Sequence, residues 1–145
     1  MNYKLTIVRE KDLECYATKE IKITSPVDVV RAYGQVFESF DREKFAVLHL
    51  NTKNVVMAIE YISTGSLNSS IAHPREVFKG AILNNSASII IAHNHPSGET
   101  QPSSEDKSIT RRLQDCGDIL DIKVLDSLII CSENRYLSFK EENLM

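Results

Sequence analysis

Two histidines separated by one residue, His93 and His95, follow the apolar run Ile89-Ile90-Ile91-Ala92. A short apolar run of this kind reads as a buried strand. At a strand end, alternate side chains share one face and stand about 6 to 7 Å apart along the chain. Both imidazoles can therefore reach a single metal ion. Zinc binds imidazole nitrogen at about 2.0–2.1 Å, prefers four ligands, and in catalytic sites leaves one position to water. Asp106 is the natural third ligand. Pro96, Gly98 and Pro102 reverse and stiffen the intervening segment. A helix starting near Ser103 then folds back, and its first turn presents Asp106 to the histidines. Water in the open position would have a pKa lowered to about 7, which makes hydroxide available near neutral pH.

Each residue also has an ordinary reading. A lone buried histidine is usually satisfied by backbone groups. Ser103 and Asp106 form an S-x-x-D box, which a helix N-terminus uses whatever its function. The combination of His-x-His, a seven-residue spacer, Ser and then x-x-Asp is far more specific than any of its parts.

Positioning these groups requires strands and helices in a particular order. Tyr3 to Val8 and Ile21 to Ile23 alternate polar and apolar residues, as two edge strands would. Ser25-Pro26 predicts a helix start, with Asp28 in its first turn and Val29, Val30, Tyr33, Val36, Phe37 and Phe40 as its apolar stripe. Phe45 to Leu50 predicts a buried strand, paired by a hairpin with Val55 to Ile62. His73-Pro74 opens a second helix that ends near Asn84-Asn85. After the Ser88 to Ala92 strand, the third helix carries Ile109, Leu113 and Cys116 on one face, with Gly117 as its expected C-cap. Ile122 to Cys131 and Tyr136 to Phe139 close the chain as strands. This order predicts an α/β fold, a mixed sheet with helices packed against it.

Composition sets outer bounds on function. The 145 residues are 42% hydrophobic and 26% charged, as expected of one globular domain. A balance of 17 basic against 20 acidic side chains offers no general attraction to phosphate backbones. The longest uninterrupted apolar run is far below the roughly 20 residues of a membrane-spanning helix, so no membrane partner is expected. Charges from Lys4 onward interrupt the N-terminus, which lacks a signal-peptide pattern, and a cytoplasmic location is expected. Cys15, Cys116 and Cys131, odd in number and without a C-x-x-C, read as reduced, small hydrophobes.

The string His93-x-His95-x(7)-Ser103-x-x-Asp106 resembles the JAMM motif of the JAB/MPN metalloproteases. Its surroundings resemble the RadC branch. The supporting strings are Asp41-Arg42-Glu43-Lys44-Phe45, His73-Pro74-Arg75-Glu76-Val77-Phe78-Lys79, Ala92-His93-Asn94-His95-Pro96-Ser97-Gly98 and Val124-Leu125-Asp126. The resemblance divides the chain into a strand-rich extension over 1–24 and a RadC-like JAB/MPN domain over 25–145. It implies a cytidine deaminase-like mixed sheet sandwiched by helices, with one Zn2+ per chain held by His93, His95, Asp106 and a water. It also implies that Glu43 moves the proton and that Ser103 stabilises the developing oxyanion; residue type alone does not single out Glu43. Relatives often carry histidine after the late-strand aspartate, where this chain has Asp126-Ser127. His49 reads as a strand residue and His73 as a helix start, neither as a ligand.

The implied activity is zinc-dependent hydrolysis of a peptide or isopeptide bond in a protein or peptide substrate. The alternative is a DNA-repair-associated or protein-interaction module with little catalysis. The chain has no helix-hairpin-helix region, and its basic residues Arg75, Lys79, Lys107, Arg111 and Arg112 have acidic neighbours, so DNA binding is not expected. The H-x-E and P-C-x-x-C signature of nucleobase deaminases is missing. The letters His93-Asn94-His95 also lack the wider ββα setting of an HNH-like nuclease. The polar stretch Ser63 to Asn68 reads equally as the lining of a substrate groove or as an ordinary exposed loop.

Overall fold

A computed structural model describes residues 20–64 and 73–145. The elements run α1 (Pro26–Glu38), β1 (Lys44–Leu50), β2 (Val56–Thr64), α2 (Pro74–Leu83), β3 (Ser88–Asn94), α3 (Ser104–Leu120), β4 (Lys123–Ile130) and β5 (Tyr136–Ser138). The strands form one sheet in the order β2-β1-β3-β4-β5. β1 is antiparallel to both β2 and β3, β3 is parallel to β4, and β4 is antiparallel to β5. The parallel pair needs a crossover, which α3 supplies. The result is the expected mixed α/β sandwich.

Side-chain alternation divides the core into two layers. Ala46, Leu48, Leu50, Ile90 and Ala92 pack with Val29 and Phe37 of α1 on one face. Val47, Ile89 and Ile91 pack with Val77, Phe78 and Ala81 of α2 and Leu113 of α3 on the other. Every residue of β3 is buried, because a central strand covered on both faces must be apolar in both directions. His93 continues the series Ile89, Ile91 and so faces the α2–α3 layer. Asn94 continues Ile90, Ala92 and faces α1.

The helix starts follow their caps. Pro26 and Pro74 occupy first-turn positions, where the missing N–H costs nothing. The Asp28 carboxylate accepts hydrogen bonds from Thr24 N at 2.8 Å and Ser25 N at 3.0 Å.

Two expectations are corrected at element ends. Gly117 does not cap α3: the helix continues to Leu120 and stops at Asp121, which adopts a left-handed φ of 57°. A short polar side chain tolerates that conformation. Gly117 is needed for closeness instead, since a Cβ there would lie 2.5 Å from the Ile122 carbonyl oxygen. Of the two expected N-terminal strands, Tyr3 to Val8 lies outside the described residues. Ile21 to Ile23 forms a single bridge, Lys22 opposite Val55, before the chain turns into the α1 cap. Cys116 and Cys131 are free thiols, and Cys15 is not among the described residues. No helix among the described residues is long and apolar enough to cross a membrane.

Candidate metal centre

The end of β3 supplies the two imidazoles. His93 is buried, and the Phe45 ring stacks on it with centroids 6.2 Å apart and planes 14° from parallel. Packing therefore orients this ring, whose Nδ1 has no hydrogen-bond partner among the described residues. His95 is oriented differently. Its Nδ1 lies 2.8 Å from the Glu99 carbonyl oxygen, so Nδ1–H donates there and the lone pair of Nε2 faces inward. Gly98, with φ of 83°, lets the chain turn tightly enough for this contact.

α3 brings the acid. Ser103 N donates to Asp106 Oδ2 at 2.8 Å, and Asp106 N donates to Ser103 Oγ at 3.0 Å. The S-x-x-D box thus serves as a helix cap while its carboxylate also faces the histidines. Asp106 Oδ1 lies 3.2 Å from His93 Nε2, and Oδ2 lies 3.5 Å from His95 Nε2. The two imidazole Nε2 atoms are 3.1 Å apart.

Glu43 joins them from the far side of the β1–β3 ladder. Phe45 pairs with His93 in that ladder, and side chains two residues apart share a face. The Glu43 carboxylate arrives on the histidine side, with Oε1 4.0 Å from His93 Nε2. One ligand atom from each of Glu43, His93, His95 and Asp106 lies within 4.8 Å of every other.

This donor set fits a small divalent cation. At zinc–ligand distances of about 2.0–2.1 Å, two vertices of a tetrahedron are about 3.3 Å apart. The two Nε2 atoms, 3.1 Å apart, have a separation close to that spacing, and each faces its own Asp106 oxygen, Oδ1 at 3.2 Å from His93 and Oδ2 at 3.5 Å from His95. Glu43 stands further out. Burial raises Asp106, but hydrogen bonds with His93 and His95 outweigh it and hold the acid well below the usual carboxylate range. Burial pushes Glu43 up, partly opposed by the two imidazoles. The Asp106 hydrogen bond raises His95 against the effect of burial.

Of the residues named from sequence, Glu43, His93, His95 and Asp106 come together, and Ser103 adjoins them through Asp106. His49 and His73 stay outside, as expected. His49 is buried between Ser86 Oγ at 3.1 Å and Glu60 Oε2 at 3.2 Å, and His73 occupies the α2 N-cap position. Asp126 accepts from Ser127 N, Ser138 Oγ and Lys140 N, while Ser127 Oγ accepts from Thr110 Oγ1 on α3. These bonds give the Asp126-Ser127 pair a structural place. For the expected groove lining, residues 65–72 lie outside the described residues. Asn94, which no residue-type argument selected, lies between the two histidines with its side chain on the opposite face.

An α/β sandwich with two histidines, an aspartate and a glutamate gathered at the end of its central strand defines a JAB-type domain with a possible metal site. The sequence model of the RadC-like JAB domain matches residues 23–144. The chain belongs to that family. It is 54% identical over 123 residues to a UPF0758 protein of Desulfitobacterium hafniense, covering 85% of this chain and 54% of that protein. A UPF0758 protein of Moorella thermoacetica is 50% identical over 133 residues, covering 92% and 58%. One from Clostridium acetobutylicum is 47% identical over 136 residues, covering 93% and 59%. The chain thus spans somewhat more than half the length of the curated relatives it matches.

Proposed function

We propose that this chain is a zinc-dependent metallopeptidase that hydrolyses a peptide or isopeptide bond, with Glu43 as general base and acid. The observation that carries the reading is the cluster of His93, His95, Asp106 and Glu43, whose ligand atoms lie within 4.8 Å of one another. His93, His95 and Asp106 would hold the ion. When bound, zinc supplies Lewis acidity, polarising a carbonyl and bringing the pKa of water towards about 7. Glu43 takes a proton from the attacking water and returns it to the leaving nitrogen. Ser103 Oγ accepts the Asp106 N–H and keeps its own proton to donate to the developing oxyanion.

The test couples metal content to turnover. Purified protein should hold about one zinc ion per chain, as a site of three protein ligands and water implies. Incubation with a proteome-derived peptide mixture should generate new amino termini, counted by mass spectrometry. Glu43→Gln should retain the metal and lower that count by about 10²- to 10⁴-fold. Full turnover by Glu43→Gln, or full zinc occupancy in His95→Ala, would remove the proposal.

A further inference from the structure

We infer that Asn94 is a positioning residue that fixes the Glu43 carboxylate against the metal site. The inference deepens the metallopeptidase reading and rests on it for its catalytic meaning.

Backbone pairing between β1 and β3 reaches Phe45 opposite His93 and goes no further. Glu43 lies beyond that last pair; the strand end pairs with Thr64 of β2 on one side, while on the β3 side no backbone pair reaches it. The Asn94 side chain takes over there. Its Oδ1 accepts from Lys44 N at 2.7 Å, and its Nδ2 donates to Arg42 O at 3.0 Å. The two bonds bracket Glu43 on either side and replace those that a neighbouring strand would have made. Asn94 is buried, with 3% of its surface exposed, so the carboxamide side of both bonds is withdrawn from solvent.

Residue type matters here. A carboxamide presents one acceptor and two donors with the geometry of a peptide group. An aspartate could accept from Lys44 N but could not donate to Arg42 O, and alanine could do neither. The same segment is pinned a second time from this face. Lys44 Nζ sits 4.2 Å from the centroid of the Phe40 ring and 5.6 Å from that of Tyr61, a cation–π contact. Glu43 therefore projects toward the histidines from a backbone anchored on the opposite side of the sheet. Two of the three candidate ligands have anchors of their own: Glu99 O orients His95, and the α3 cap holds Asp106. Loss of Asn94 should loosen Glu43 and leave the ion in place.

The experiment reads the Glu43 carboxyl carbon by 13C NMR, assigned with Glu43→Gln, during zinc titration of the full chain. In the unaltered protein the Glu43 signal should move as the ion binds. In Asn94→Ala it should not move, while zinc still binds at the same stoichiometry. Asn94→Ser, a smaller polar replacement, provides the same reading if the alanine variant does not fold. With the peptide mixture, Asn94→Ala should lower turnover by about a hundredfold and cause no further loss in a Glu43→Gln background. An unchanged Glu43 response in the Asn94 variants would overturn the inference, as would zinc loss matching that of His93→Ala. If the Glu43 response is lost as expected but the unaltered zinc-loaded protein cleaves nothing, the positioning role stands and the peptidase reading falls.

Discussion

Phe45 and His93 are partners in the β1–β3 ladder, and their rings lie 14° from parallel on the α2–α3 face of the sheet. This pair orients the imidazole whose Nδ1 has no hydrogen-bond partner among the described residues, and it sets the register that puts Glu43 on the same face. Phe45→Ala should therefore weaken metal binding without removing a ligand. A loss of about 10- to 100-fold in zinc affinity is expected, the range typical of groups that orient metal ligands. Competition with a chromogenic chelator measures it. Unchanged affinity would mean that the strand backbone alone holds His93.

Metal removal should act on stability as well as activity. A ligand that binds the folded state alone adds about 2.7 kcal/mol when its free concentration is a hundredfold above Kd. Thermal unfolding of zinc-loaded protein should shift to lower temperature when a chelator is added. His95→Ala and Asp106→Ala should melt at the same temperature with or without the chelator. A chelator effect of equal size in those variants would place the stabilising ion elsewhere.

Ser103 has two separable roles. Its Oγ caps α3 by accepting the Asp106 N–H, and in the proposed reaction its hydroxyl donates to the oxyanion. Ser103→Ala should cost about 1 kcal/mol of stability, whereas Ser103→Gly should cost only a few tenths, about 0.3 kcal/mol. Both lack the hydroxyl, so both should lose about 10²- to 10³-fold in kcat. Urea unfolding and steady-state kinetics on the two variants separate the roles. Recovery of kcat in the glycine variant would confine Ser103 to capping.

Much of the fold was legible where local chemistry decides it. Ser25-Pro26 and His73-Pro74 marked helix starts, and the apolar runs around Val47 and Ile90 marked buried strands. The gathering of the candidate ligands was legible for the same reason: His93 and His95 share a strand face by alternation, and Asp106 lies in a recognisable cap. Glu43 was not, because its place depends on the Phe45–His93 register, a pairing between distant segments. The available signal was an acid immediately before a strand and two residues from Phe45, and only the register gives that spacing meaning. Asn94 was hidden by its neighbours, since alternation points it away from the histidines. Gly117 misled for a related reason: glycine marks helix ends by propensity, but here it answers to a carbonyl in the following turn.

That carbonyl yields a prediction against helix propensity. Replacing glycine by alanine inside a helix normally gains about 1 kcal/mol. At Gly117 the new Cβ would lie 2.5 Å from Ile122 O, and backbone cannot move aside as a flexible side chain can. The Ile122 N–H also donates to Gly117 O at 2.9 Å, which ties the two residues together. Gly117→Ala should destabilise the protein by about 1–3 kcal/mol, the usual cost of overpacking. Denaturant titration reads the sign, and any net stabilisation would show that the α3 end can relax.

Asp28 offers a pH test far from the metal site. Its carboxylate accepts from Thr24 Oγ1 at 2.7 Å, Thr24 N at 2.8 Å and Ser25 N at 3.0 Å. Those bonds, led by the Thr24 hydroxyl, lower its pKa from 3.8 to about 2. A folded-state pKa below the unfolded value means that the unfolded chain takes up the proton first as pH falls. The contribution to stability is therefore complete above pH 3.8 and lost as pH falls through about 2. Asp28→Asn should be less stable than the unaltered chain at about pH 5, with the gap closing toward about pH 2. Measuring both proteins with chelator present, at each pH, cancels the contributions of the metal ligands. A gap that stays constant across that window would mean that the α1 cap does not depend on the charge of Asp28.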